Sequence, residues 1–190
     1  MMGHEIGQNV YIGFAILNIK KITLKDGVII KHFNYFKNLS HLKMLEKSGI
    51  YGWGNWLTAS KLNNLGNEEF GCLTIGEASI ISSRHYLDLP GGITIGKSSM
   101  IAGANTTFYT HTLVVDPVVD NINKTIVIGD HCYVGSHCII LPGAAIGSYT
   151  FVGAGSVVTK NFLDQNYVLV AGNPANVKKS YPKDAKYFSD

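Results

Sequence analysis

Residues Ile128–Lys160 read IGDHCYVGSHCIILPGAAIGSYTFVGAGSVVTK. An aliphatic side chain recurs at every sixth position: Ile128, Val134, Ile140, Ile146, Val152 and Val158. Glycine usually follows it (Gly129, Gly135, Gly147, Gly153), and a small side chain stands four residues after it (Cys132, Cys138, Ala144, Thr150, Ser156). An α-helix repeats every 3.6 residues and a strand every 2, so neither yields a period of six. One short strand plus one turn does, with one large and one small side chain directed inward per unit. Three units close a triangular coil of about 18 residues, and stacked coils make a parallel β-helix.

Followed backwards, the register predicts inward triplets at Ile6, Ile12, Asn18, then Leu24, Ile30, Phe36, then Leu45, Tyr51, Leu57. Ile75, Ile81, Leu87 and Ile95, Ile101, Thr107 complete the run, which gives about seven coils over residues 5–160. The register is interrupted after Phe36, Leu57, Leu87 and Thr107, each time after a third unit, so the inserted loops leave near one edge of the prism. Such insertions on one face of a repeat array are where binding is built. The longest, Thr110–Thr125, opens on a histidine, and the projecting loop spans residues 108–126. The small positions of the second face form a column of Asn34, Asn55, His85, Asn105, Cys138 and Ser156, spaced about 4.8 Å apart if coils stack as strands do. His85 therefore reads as an inner member of a hydrogen-bonded ladder, and Cys132 and Cys138 read as packing residues. Beyond Lys160 the period stops: residues 161–190 are expected to form a connector, a turn at Ala171–Pro174 and a helical or irregular tail, with at most a short charged helix over Val177–Phe188.

A length of 190 residues suits one domain, and 46% hydrophobic with 15% charged residues suits an aliphatic column. The net charge of +3, without basic blocks interleaved with aromatics, speaks against nucleic acid as a partner. Met1–Val10 has no signal-peptide pattern, and no apolar run reaches the roughly 20 residues that span a bilayer, so no integral membrane segment is expected. Three cysteines without Cys-x-x-Cys spacing argue against a disulfide framework and a zinc knuckle, which fits a reducing cytoplasm.

The run from Ile126 to Lys160, followed by AGNPA at Ala171–Ala175, resembles the hexapeptide-repeat acyltransferases of the maltose/galactoside O-acetyltransferase type. THTLVVDP at Thr110–Pro117 resembles the loop carrying that family's catalytic histidine. SSRHYLDLPGGITIG at Ser82–Gly96 is similar to members that acetylate bacterial surface polysaccharides. The resemblance implies an all-β, left-handed parallel β-helix that works as a homotrimer, with acetyl-CoA in the groove between subunits, a carbohydrate acceptor and no metal. His111 maps onto the general base, for which histidine is suited because it titrates near neutrality. Ser136 maps onto a position that stabilises the tetrahedral intermediate and touches the cofactor. Ala154, Thr159, Lys160, Asn176 and Lys179 map onto positions around the pantetheine arm and the CoA phosphates. Asn176 lacks the charge common there, and Lys178 could substitute; apart from the resemblance, Lys178, Lys179, Lys183 and Lys186 are a solvated basic tail.

On the acceptor side, Ser82 falls where galactoside enzymes use asparagine, and Arg84, His85 and Asp88 lie beside it as candidate sugar contacts, with surface ion pairing an equal reading of Arg84 and Asp88. Trp53 and Trp56 face outward, to stack on sugars or fill a subunit interface. The chain starts almost directly in β-helix, so the helical acceptor lid of maltose-type enzymes is not expected. An amino sugar, serine or a xenobiotic remains an alternative acceptor. A γ-class carbonic anhydrase would need three converging histidines; His131 and His137, six apart, point away from each other. An inert scaffold is the third alternative.

Overall fold

The structure is a computed structural model and describes residues 3–59, 70–112, 123–185 and 187–188. The insertion at 60–69, residues 113–122 of the histidine loop and Lys186 lie outside the described residues. The rest coils as a left-handed parallel β-helix with three walls. The first wall stacks Glu5–Ile6, Cys72–Ile75, Ile93–Ile95, Ile126–Ile128, Ala145–Ile146 and Asn161–Phe162. The second stacks Tyr11–Ile12, Ile29–Ile30, Gly49–Ile50, Ile80–Ser83, Met100–Ala104, Tyr133–Val134, Thr150–Val152 and Val168–Gly172. The third holds Trp56–Thr58, Tyr86–Asp88, Thr107–Tyr109, Ile139–Ile140 and Val157–Val158. Two long strands, Ile16–Leu24 and Tyr35–Met44, run through the corner from the third wall into the first and join them into one sheet.

One large side chain per wall and coil fills the interior. The pairing registers align Leu24, Met44, Ile75, Ile95, Ile128, Ile146 and Phe162 on the first wall. On the second they align Ile12, Ile30, Ile50, Ile81, Ile101, Val134, Val152 and Val170. The third aligns Leu17, Phe36, Leu57, Leu87, Phe108, Ile140 and Val158. From Ile75 onward the six-residue reading is therefore right except at Thr107, whose place is taken by Phe108. Earlier it slips by one at Asn18 (Leu17 points in), Leu45 (Met44) and Tyr51 (Ile50). The cause is local: at the corner between second and third walls the inward positions lie seven apart from Ile50 to Leu57 and from Ile101 to Phe108, and only five apart from Ile12 to Leu17. A one-residue slip exchanges the inner and outer faces.

The inner polar ladder exists, with one exchange. Asn55 Nδ2 donates to Asn34 Oδ1 (2.9 Å), the His85 amide to Asn55 Oδ1 (2.8 Å) and the Thr106 amide to His85 Nδ1 (3.1 Å). Thr106 Oγ1 donates to the Gly135 carbonyl, and the Cys138 thiol donates to that of Gly153. Thr106 occupies the rung expected for Asn105, which is exposed at the corner. Cys132 and Cys138 are buried, and burial pushes the Cys132 thiol up to about 11 and the Cys138 thiol in the same direction, so both are unreactive packing groups.

Why glycine follows the inward aliphatic is visible at Gly135, where a Cβ would lie 2.7 Å from the Ala154 amide of the next coil. The corners themselves are turned mainly by non-glycine residues in the left-handed region, among them Lys47, Arg84, Ser98, Asn105, His131 and His137. Each such amide donates to a carbonyl one coil earlier, as Arg84 does to Trp53 and His137 to Ala104. That bond offsets a backbone cost of about 1–2 kcal/mol per residue.

The coil also runs past Lys160. Asn161–Phe162 and Val168–Gly172 continue the first and second walls as an eighth, partial coil. The short helix allowed over Val177–Phe188 does not form among the described residues: Ala175–Ser180 is a strand pairing antiparallel with Val168–Gly172. The turn after Gly172 reverses the chain onto an open sheet edge, which satisfies backbone groups that a short helix would leave at both ends. No helix among the described residues is long and apolar enough to cross a membrane.

Candidate active site

The third-wall strand Tyr86–Asp88 pairs residue for residue with Thr107–Tyr109, so Asp88 faces Tyr109 and lies next to the start of the histidine loop. Thr110 anchors that start: its hydroxyl donates to the Asp88 carbonyl (2.8 Å) and accepts from the Gly91 amide (2.8 Å). The next residue, His111, places Nδ1 2.6 Å from Asp88 Oδ2, and the Thr110 amide donates to the same oxygen (3.3 Å). The Asp88 side chain is 5% exposed and that of His111 34% exposed. Burial pushes the Asp88 carboxyl above its ordinary value, against the pull of the His111 and Thr110 bonds. With the carboxylate accepting from Nδ1–H, the imidazole tautomer is set and Nε2 is left to accept a proton.

Asp88 is thus buried against His111 rather than open to solvent. The extra residue at the Gly103 corner sets Tyr109 beside Asp88, two residues before His111. His85 is corrected as a sugar contact: it is 1% exposed, and burial pushes its imidazole down to about 4. Its neutral ring is a rung of the core.

The remaining candidates fall on two edges of the prism. Ser82 and Arg84 lie at the corner between second and third walls, with the Arg84 guanidinium over the Trp53 ring at 5.9 Å. Ser136 follows along that corner, its hydroxyl accepting from the Ala104 amide (3.3 Å), and Ala154 comes next, exposed. His111, Asp88, Thr159 and Lys160 lie along the corner between third and first walls. A three-residue strand, about 10 Å long, separates the two edges, so one chain does not bring Ser136 to His111. At the far end Lys160 Nζ donates to Asn176 Oδ1 (2.9 Å) beside a polar hollow of about 450 Å³, so a cation does reach Asn176. Lys179 is exposed and lies over the Tyr181 ring at 5.0 Å. Among the described residues no three His, Cys, Asp or Glu side chains gather as a metal ion would need. His137 instead bonds Asn105, and His131 stacks on Tyr149.

Residues 125–160 match the family described as bacterial transferase hexapeptide (six repeats). The chain is 34% identical to the galactoside O-acetyltransferase of Escherichia coli (strain K12) over 104 residues, 50% of this chain and 48% of that enzyme. It is 36% identical to the galactoside O-acetyltransferase of Lactococcus lactis over 91 residues, 46% of this chain and 42% of that enzyme. The chain thus spans less than half the length of these two relatives. The crystal structure of a hexapeptide-repeat acetyltransferase from Vibrio cholerae, complexed with acetyl-coenzyme A, is 26% identical, with a TM-score of 0.52 over 82% of this chain and 71% of that one. By its repeat and its fold, the chain is similar to hexapeptide-repeat acetyltransferases of left-handed β-helix architecture.

Proposed function

We propose that the protein is an acetyl-CoA-dependent O-acetyltransferase that acetylates a sugar hydroxyl of a bacterial surface polysaccharide, in the cytoplasm or at the inner membrane face. The observation that carries this is the 2.6 Å contact of His111 Nδ1 with the buried Asp88, at the head of a loop on the prism edge. The acceptor hydroxyl gives its proton to His111 Nε2 as its oxygen attacks the thioester carbonyl, and Asp88 stabilises the imidazolium that forms. The tetrahedral oxyanion takes the Ser136 hydroxyl as a donor. Collapse breaks the C–S bond, and the imidazolium returns its proton to the departing CoA thiolate. Transfer is direct, with no acyl-enzyme.

The separation of Ser136 and Ala154 from His111 and Lys160 by the width of a wall supports a homotrimer, because packing one edge against the other edge of a neighbouring copy completes the set. Lys160 with Asn176, Thr159 and Lys179 would then meet the cofactor at the C-terminal end of the groove. Thiol release from acetyl-CoA, followed across hexoses and nucleotide sugars, tests the proposal. His111→Ala is expected to lower kcat by roughly 10²–10⁴-fold while acetyl-CoA still binds. Undiminished activity in that variant refutes the mechanism.

A further inference from the structure

The edge between second and third walls, where Ser136 and Ala154 stand, runs on toward the N-terminus past Arg84 into aromatic rings. Gly54 turns this corner in the left-handed region, and its amide donates to the Phe33 carbonyl of the coil before (2.9 Å). The Arg84 amide donates in the same way to the carbonyl of Trp53 (3.0 Å), so Phe33, Trp53 and Arg84 stand on successive coils. Phe33 is 66% exposed and Trp53 58%. Together with Lys31 and Tyr51, which follow the inward Ile30 and Ile50 and point outward from the second wall, they line a hollow of about 780 Å³. His32 beside them is held by the Phe14 amide (3.0 Å) and the Tyr11 hydroxyl (2.8 Å). Two cations remain: the Lys31 ammonium over the Tyr11 ring and the Arg84 guanidinium over the Trp53 ring, each at 5.9 Å. Neither has a carboxylate partner among the described residues, and residues 13–15, 31–34, 51–55, 82–85 and 102–106 of this edge contain no Asp or Glu.

We infer that this hollow binds acidic sugar units of the acceptor glycan, beyond the unit whose hydroxyl is acetylated. The inference rests on the proposed acetyl transfer and homotrimer, and names the chemical class of that acceptor. Joining this edge to the opposite edge of the next copy turns the third wall inward and leaves the second wall facing solvent. A hollow on the second-wall side therefore stays open at the mouth of the shared groove. A three-fold axis parallel to the prisms keeps every residue at its own height. The partner subunit's His111 thus stands level with the coil of Asn105, two strand spacings or about 10 Å from the coil of Trp53. What stacks on Trp53 is a further unit of the acceptor and not the reacting one. Indole and phenyl faces suit the apolar C–H face of a pyranose. The planar guanidinium of Arg84 suits a carboxylate, which supplies the counter-charge that this edge lacks. Phe14, whose ring is 6.0 Å from that of Phe33, prolongs the row of rings. Such a row fits a repeating chain of carboxylated sugars better than a single phosphate.

Calorimetry on the full chain tests this, with tetramers of galacturonic acid and of neuraminic acid and a hyaluronan tetrasaccharide beside neutral malto-, galacto- and chito-tetramers. At least one acidic tetramer is expected to bind about tenfold or more tighter than every neutral one, and to weaken as salt is raised. Trp53→Ala and Arg84→Gln are each expected to raise its Kd about five- to tenfold with the acetyl-CoA Kd unchanged. Trp53→Phe should recover most of the loss and Arg84→Lys only part of it. Acidic and neutral tetramers that bind alike, or variants that bind as the wild type does, overturn the inference. Binding of UDP-glucose that both variants lose, with no acidic tetramer bound, makes the anion a phosphate and overturns it too. So does a change in the mass of the assembly in the variants by light scattering, which would make the hollow a subunit contact. Failure of every sugar to elicit thiol release from the wild type would count against the proposed function itself, a result distinct from the binding measurements.

Discussion

Replacing Asp88 by asparagine separates charge from geometry at the candidate site. Asp88 Oδ2 accepts from both His111 Nδ1 (2.6 Å) and the Thr110 amide (3.3 Å). The Thr110 N–H repels an amide nitrogen, so Asp88→Asn should present its oxygen at that place and keep the imidazole tautomer. What disappears is the negative charge opposite the imidazolium. A hydrogen bond to a charged group is worth about 1.5–3 kcal/mol against 0.5–1.5 for a neutral one, and each 1.36 kcal/mol is a factor of ten in rate. The two differ by about 1–1.5 kcal/mol, so the expected fall in kcat is about 5- to 15-fold, smaller than for His111→Ala, with acetyl-CoA affinity unchanged by calorimetry. Thiol release at saturating acetyl-CoA reads the rate. A kcat equal to wild type would show that the carboxylate is idle. A kcat as low as that of His111→Ala would show that the amide presents its nitrogen, and the Thr110 anchoring argument would fail. The same variant has a stability signature. Because burial raises the Asp88 carboxyl in the folded state, the native chain holds that proton more tightly than the unfolded one. Stability due to this group is present below the ordinary carboxylate value of 3.8 and is lost as pH rises through the raised folded value. Asp88→Asn should flatten that slope in urea titrations across this window.

The buried His85 acts in the opposite sense. Its folded value near 4 against 6.5 unfolded means that acid favours the unfolded chain, so about 3 kcal/mol of stability is lost as pH falls from 6.5 to about 4. His85→Asn, which can still accept from the Thr106 amide, should remove most of that acid dependence of the urea midpoint. Gly76→Ala would put a Cβ 2.4 Å from the Gly96 carbonyl carbon of the next coil. Coils locked by wall hydrogen bonds cannot spread, so about 1–3 kcal/mol of stability should be lost and the Tm should fall by several degrees; an unchanged Tm would mean that the stack is loose there. Lys160→Ala should raise acetyl-CoA KM about two- to fivefold with kcat preserved, as expected for an exposed charge beside an anionic cofactor; a lower kcat at saturation would place Lys160 nearer the chemistry.

The histidine loop and the dyad show where a sequence stops being legible. His111 stands out because the period breaks beside it, and a break in a regular repeat is a local event. The Asp88 partnership does not stand out, because it depends on whether the preceding coil has six or seven residues in its last unit. That count turns on the Gly103 corner, where a left-handed glycine admits one residue more. The same ambiguity put Tyr51 inside and Asn105 in the ladder. The strand at Ala175–Ser180 was hidden for another reason: its four lysine, asparagine and serine neighbours carry no period, and only an unpaired sheet edge nearby makes a strand the better state.

What the sequence alone determined is the coil. An aliphatic side chain every six residues with a small one between admits a triangular prism and little else, because only that shape buries both at once. Tertiary structure decided what each corner does. Lysine, arginine, serine, asparagine and histidine all turn corners here, since the left-handed conformation is stabilised by a hydrogen bond to the neighbouring coil rather than by residue type. It also decided which side chains meet. Asp88 reaches His111, and Trp56 lies beside Tyr86, through strand pairing between residues 23 and 30 positions apart, a distance over which no local pattern in the chain reports.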